Sequence, residues 1–264
     1  MPASLQALVD GALAKRMQPG FSSYSGIQSL FLALNGITGA KNILQGTFGI
    51  SELYAAGNID IECITKNLGR SFETMNISIK PYPSCRCTHP VIDAALEIKK
   101  EHEFNISEII GGEIFLPPVS MGQIGNPFRL RANPTVDAQF SAQYTAALTL
   151  LKGKPRMHDF DAAAVSASGR IISLASLFSI VEFYHNTREL VPVVMRISLR
   201  NGRTLETRVK DPTGSPVKPM SEEDTLFKFN DCLNHCAKEY SPEDRQRLLR
   251  SIQSMRNLND VSEL

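Results

Sequence analysis

The sequence predicts an α+β protein, and three observations carry that reading. Apolar residues recur at helical spacing through the first 70 or so residues. Strand-like runs then appear, two of them flanking Asn201-Gly202, a dipeptide suited to a hairpin turn. Two segments near the end begin with a serine followed three residues later by an acid, as helix starts do. With 264 residues, 42% of them hydrophobic, the chain is long enough for one large core or two modest ones.

Taken in order, Ser4 to Arg16 reads as a helix ended by Pro19-Gly20. Ile27, Leu30, Phe31 and Leu34 fall at i, i+3, i+4 and i+7, so Ser25 to Asn35 is an amphipathic helix closed by Gly36. Short helices are expected at Ala40 to Leu44 and Asp60 to Leu68. Asn76 to Lys80 alternates like a strand. A helix starts at Pro90 and runs through Ile98, since proline suits a first helical position. Ile109 to Leu116 reads as a strand stopped by Pro117-Pro118, and Gly122 to Pro134 as a loop. Asp137 opens a helix ending at Gly153, and Ala162 to Tyr184 is apolar and expected to be largely helical. Pro192 to Leu199 and Thr204 to Val209 are the arms of the hairpin. Ser221 and Ser241 start the last two helices.

Composition narrows the partners. A net charge of +1 without a basic run gives no footprint for nucleic acid or an anionic membrane surface. No apolar run approaches the roughly 20 residues that span a bilayer, and the N-terminus lacks a secretory pattern. Five cysteines are an odd, sparse set that fits reduced thiols in the cytoplasm.

Lys15-Arg16-Met17-Gln18-Pro19-Gly20 is followed further on by Lys80-Pro81-Tyr82-Pro83-Ser84-Cys85-Arg86-Cys87-Thr88-His89. Together the two stretches resemble the MmgE/PrpD family, which includes 2-methylcitrate dehydratases, cis-aconitate decarboxylases and an iminodisuccinate epimerase. Gly36-Ile37-Thr38-Gly39 with Leu44-Gln45-Gly46, Asp137-Ala138-Gln139-Phe140-Ser141 and Asn201-Gly202-Arg203 extend the likeness in the family's order. The resemblance implies a partial helical domain over residues 1–70, an α/β lid domain over 71–219, and C-terminal helices over 220–264 that return to the helical part. It also implies that the N-terminal helical half of longer relatives is missing. Helices stripped of neighbours would leave apolar stripes uncovered, so a homodimer, or a partner chain supplying helices, is expected.

The same resemblance implies small polycarboxylate substrates held between the helical domain and the lid. Lys15 matches the family's active-site lysine and Lys80 a second lysine. An ammonium neutralises a carboxylate and can exchange a proton. Arg16 and Arg86 add possible bidentate carboxylate contacts, and Gln18 and Tyr82 complete the expected substrate-binding set. His89 is either an acid–base group or a cap at the helix start, where Thr88 competes with it. The family's decarboxylases carry a histidine within the segment equivalent to Pro83 to Arg86, and Cys85 falls there. A thiol can take over acid–base work beside an arginine. A tyrosine used by those decarboxylases falls at Met121 or Gly122.

Cys85-x-Cys87-x-His89 and Cys232-x-x-His235-Cys236 group soft ligands, the second on a predicted helix face. Buried apolar cysteines explain them equally, the relatives are metal-independent, and no metal or cofactor is expected. The glycine-containing stretches at Gly46 and Gly122 lack the strand and helix context of a phosphate site. The expected function is proton-transfer chemistry on a small carboxylated or carbonyl-activated substrate: isomerisation, dehydration, decarboxylation or cyclisation, in a specialised metabolic pathway. The alternatives are one subunit of a split enzyme and a non-catalytic scaffold.

Overall fold

A computed structural model of the chain describes residues 6–183, 189–257 and 260. The fold is α+β, and the chain divides into two compact units, Met1–Ile77 and Ser78–Leu264.

The first unit is helical. It holds α1 (Gln6–Val9), α2 (Ala14–Leu34), α3 (Ile50–Ala55) and α4 (Ile61–Thr65). The expected break at Pro19-Gly20 does not occur, because α2 runs through Pro19 for 21 residues. Proline deprives the Lys15 carbonyl of its partner, yet its fixed φ suits a helix, and this one breaks earlier, at Gly11 with φ 69°. The part of the expected first helix before Gln6 lies outside the described residues. Gly36 does close α2: its N–H reaches Ala33 O and that of Ile37 reaches Leu32 O, with Gly36 at φ 86°. The short helix expected at Ala40 is only a turn, whereas Asp60 caps α4 through the amides of Glu62 and Cys63. No residue of α2 is buried.

The second unit is built on a four-stranded sheet ordered β2-β1-β3-β4, from β1 (Ile109–Leu116), β2 (Phe178–Glu182), β3 (Val193–Leu199) and β4 (Thr204–Val209). Strand β1 is parallel to β2 and antiparallel to β3, and β3 is antiparallel to β4. Register places Ile114 beside Met195 and Ile197 beside Leu205, so one face of the sheet is apolar and buried. Helices α5 (His89–Glu101) and α8 (Ala142–Lys152) cover that face. In α5 the buried side is Val91, Ile92, Ala94, Ala95 and Ile98, and Lys99 and Lys100 complement the dipole at its end. Helix α8 is buried almost all round, as a central helix should be. Its Thr145 and Thr149 satisfy their hydroxyls on the carbonyls of Ser141 and Thr145.

Four local expectations need correction. Residues 77–80 form no strand; after a 3₁₀ turn at Glu73–Asn76, Ile77 and Ile79 are both exposed, so their alternation marks no buried face. The expected loop from Gly122 instead starts inside a helix, α6 (Pro118–Ile124), with Pro118 at its first turn. The helix expected from Asp137 is two helices, α7 (Pro134–Gln139) and α8, because the Ser141 hydroxyl accepts from Tyr144 N and starts the second. Asp137 lies in the first turn of α7, not at the start of α8, and accepts from Arg131 N at 2.6 Å and Nε at 2.7 Å. The apolar run from Ala162 splits into α9 (Ala162–Ser166), α10 (Gly169–Ala175) and strand β2, and Tyr184 lies outside the described residues. A short apolar run reads the same in a buried strand as in a helix.

The hairpin forms with a longer turn than two residues. Leu199 N bonds Arg203 O, Gly202 N bonds Leu199 O, and Gly202 takes φ 82°, a turn with a glycine bulge. Both serine caps form, on α11 (Glu222–Asn234) and α12 (Pro242–Ser254), and these helices fall in the second unit. Helix α11 is tied to the segment after α8 by a Lys154–Asp224 ion pair and by Asp231, which accepts from Met157 N at 2.8 Å.

Candidate active site

The segment from Lys80 to His89 is the chemical centre of the second unit. Pro81 and Pro83 deny it helix and strand, so it coils, and each turn is tied down. Ser84 N bonds Tyr82 O, while Thr88 donates both N–H and hydroxyl to Cys85 O. Gln139, from the Asp137–Ser141 stretch, braces it from outside: its side chain donates to Pro83 O at 2.8 Å and its carbonyl accepts from Cys85 N. Lys80, at the head, donates its Nζ to Ser84 O at 3.1 Å.

Beneath this coil lies a buried polar network. Tyr82 donates its hydroxyl to Asp93 Oδ1 at 2.7 Å, and Thr213 N donates to Asp93 Oδ2 at 2.7 Å. Burial pushes Asp93 above the usual carboxylate range, opposed by those two hydrogen bonds. Burial, then the charge of Asp93, drives the Tyr82 phenol far upward, so it stays protonated. Arg86 Nη1 donates to Thr213 O and meets His89 Nδ1, both at 3.1 Å. His89 is wholly buried, and desolvation followed by the charges of Arg86 and Lys80 holds its pKa down at about 3. Its ring is therefore neutral, and because Nδ1 accepts from Arg86 its proton sits on Nε2.

Lys80, Tyr82, Cys85, Arg86 and His89 thus belong to one constellation. The Cys85 thiol is buried 3.8 Å from Gln123 Oε1 on α6, the helix that also carries Met121 and Gly122. Lys15, Arg16 and Gln18 lie in the other unit on α2, with Lys15 and Gln18 half-buried and Arg16 exposed. A recess of about 160 Å³ opens beside the coil, lined by Lys80, Tyr82, Phe227, Lys228, Asp231 and Cys232 among others. Lys228 donates its Nζ to Lys80 O at 2.7 Å. Sequence reasoning missed Asp93, Thr213 and Lys228. Asp93 was findable as an acid on the apolar side of an amphipathic helix, four residues after His89. Nothing in the sequence links Lys228 to Lys80 across 148 positions.

The second soft-ligand cluster does not share a helix face. Helix α11 ends at Asn234, the Cys236 thiol turns back to Cys232 O, and His235 Nε2 lies 3.4 Å from Asp161. Among the described residues no group of three or more His, Cys, Asp or Glu is placed to hold a metal, no disulfide forms, and no helix is long and apolar enough to cross a membrane.

Chemically, the arrangement presents ammonium groups at the edge of a largely apolar recess, with an arginine and a neutral imidazole behind them. Such a setting attracts a small carboxylate and can pass a proton to it. Cis-aconitate decarboxylase from Homo sapiens is 24% identical over 259 residues, covering 95% of this chain and 52% of that protein. Cis-aconitate decarboxylase from Aspergillus terreus is 22% identical over 269 residues, covering 96% and 55%. That from Mus musculus is 24% identical over 262 residues, covering 95% and 51%. The chain spans about half the length of these curated relatives. The MmgE/PrpD C-terminal domain matches residues 82–254, well over half of the chain, which includes all of the buried network from Tyr82 to Thr213. The chain belongs to the MmgE/PrpD family.

Proposed function

We propose that this chain performs proton-transfer chemistry of the decarboxylase or dehydratase type on a small carboxylate, with Lys80 as the proton-exchanging cation. The observation that supports it is Lys80 itself, an ammonium tied to Ser84 O at the edge of a recess with largely apolar walls. An ammonium there neutralises a carboxylate, favours the electron pair left when carbon dioxide departs, and supplies the proton that quenches it. Water returns that proton to the amine. In dehydration the same group, as the free amine, takes the proton from the carbon next to the hydroxyl-bearing one and, as the ammonium, delivers it to the leaving hydroxyl, so that water departs and the amine is restored. No cofactor is needed in this scheme, because the side chain provides both charge and proton. Cys85 is the second candidate acid–base group, and Arg86 orients the coil from below. Lys15 enters through its motif, as a further cation required for turnover, with Arg16 and Gln18 as substrate-binding groups.

The test is incubation of the purified chain in deuterated water with cis-aconitate, 2-methylcitrate and related di- and tricarboxylates, followed by NMR. Deuterium incorporation or carbon dioxide release that disappears in Lys80→Ala supports the reading. Turnover unaffected by that substitution overturns it.

A second reading, binding without turnover, is favoured by α2. Its 21 residues bury none of their number, and Met17, Phe21, Tyr24, Ile27, Leu30, Phe31 and Leu34 are all exposed. Lys15 and Arg16 are its only charged residues, so two copies of this helix could pack with little like-charge cost beyond its first turn. In this reading the chain is a homodimer through α2. Sedimentation of a dimer that Phe31→Glu converts to monomer is the expected result, and a monomeric parent chain refutes it.

A further inference from the structure

We propose that Gln123 is a positioning residue for Cys85: its side-chain carbonyl keeps the thiol protonated, so that Cys85 serves as a proton donor rather than a nucleophile. This rests on the reading of Cys85 as an acid–base group and deepens it by naming the residue that sets its protonation. Cys85 is 5% exposed, and its Sγ lies 3.8 Å from Gln123 Oε1 on α6, within reach of a sulfur hydrogen bond. An amide oxygen only accepts, so the hydrogen between the two atoms belongs to sulfur. The orientation of the amide is fixed by its other end. Gln123 Nε2 donates to Val119 O at 3.3 Å, one turn back on the same helix. Turned round, the amide would set two oxygens against each other at that distance.

Both sides of the contact are held. Cys85 N donates to Gln139 O, and Cys85 O accepts the N–H and the hydroxyl of Thr88. Helix α6 starts at Pro118, with Ser120 N and Met121 N both donating to Pro117 O, and it carries no titratable side chain. The charged and titratable groups around Cys85 come from the coil, as Lys80, Arg86, Cys87 and His89, with Asp93 from α5 and Asp137 from α7. Lys80 donates to Ser84 O, and Arg86 Nη1 is directed at Thr213 O and His89. Asp93 is engaged by Tyr82 and Thr213, and Asp137 by Arg131. A thiolate facing the Gln123 oxygen would meet a like partial charge, whereas the thiol meets an acceptor, so the contact favours the form that carries a proton. When Cys85 acts, its S–H bond breaks, the proton goes to the substrate atom that holds the new electron pair, and water reprotonates the thiolate.

The experiment measures alkylation of each cysteine in the intact chain by iodoacetamide, which reacts with the thiolate, followed by trypsin digestion and mass spectrometry. Trypsin cuts after Arg86, so Cys85 and Cys87 are read in separate peptides. Gln123→Met removes the acceptor at similar length and should speed Cys85 alkylation about three- to tenfold, the size of one hydrogen bond. Gln123→Glu sets a carboxylate against the sulfur and should slow it by a similar factor. Cys87 should change by no more than about twofold in either variant. A merely structural role would loosen the packing and speed both cysteines in both variants, and that result overturns the proposal. So do Cys85 rates that neither variant changes. Turnover in deuterated water separates the proposal from the reading beneath it. Full turnover in Cys85→Ala removes Cys85 from the chemistry, and its donor role with it, even where the alkylation rates move as expected. If Gln123→Met melts well below the parent, Gln123→Leu takes its place with the same expected gain.

Discussion

Arg86 Nη1 sits 3.1 Å from His89 Nδ1, a cation donating to a neutral, wholly buried ring. In the folded protein that ring takes up a proton only near pH 3, against 6.5 for an unperturbed histidine. The unfolded chain binds its proton first as pH falls. The stability contributed by burying this ring neutral is therefore complete above pH 6.5 and is lost as pH drops toward 3. The slope should reach about 1.4 kcal/mol per pH unit. Urea denaturation from pH 7.5 to 4.5 should show this loss, and His89→Asn should flatten it. An equal slope in the variant would assign the acid sensitivity elsewhere.

Tyr82→Phe removes the donor to Asp93 Oδ1 while keeping the ring against His89. A buried carboxylate oxygen without a partner costs about 1–3 kcal/mol. The variant should lose stability by that order. Its Asp93 should also titrate still higher than in the parent, visible by carbon-13 NMR of the carboxyl. A stability unchanged within error would show that water replaces the phenol.

Gly214 lies where no side chain fits. Its φ is 82°, its carbonyl accepts from Ile79 N at 2.8 Å, and a Cβ there would collide with the Ile79 carbonyl oxygen. Gly214→Ala should push the loop carrying Thr213 away from the residue before Lys80, costing roughly 1–3 kcal/mol. Thermal unfolding reads the cost. Turnover measured below the transition should fall as well, because Thr213 ties both Asp93 and Arg86.

Lys15→Ala and Lys80→Ala should each lower turnover by at least about tenfold without unfolding the protein, since a cation facing a developing charge is hard to replace. Circular dichroism checks the fold and the NMR assay in deuterated water checks the rate. Full activity in Lys15→Ala alone would remove the first motif from the mechanism and leave the second intact.

Much of the architecture was legible because its signals are local. Serine caps, Pro90 at the start of α5, a hairpin at Asn201-Gly202 and the strand-like runs of β1 and β3 each need only neighbouring residues, and the structure forms them, with the hairpin turn longer than the dipeptide alone suggests. Where a segment's state is set by distant partners, local reading failed. Phe178–Glu182 is a strand because β1 pairs with it, not because of its own composition. Ile77 and Ile79 alternate like a strand, but among the described residues neither enters a strand ladder.

The sequence by itself determined the family resemblance and the α+β class, and it singled out the Lys80–His89 segment as the candidate site, since motif and periodicity reside in consecutive residues. Only the tertiary structure decided that His89 is buried neutral against Arg86, that Asp93 gathers Tyr82 and Thr213, and that Lys228 meets Lys80. Those relationships depend on desolvation and on contacts between residues up to 148 positions apart. Neither property is carried by any short stretch of chain.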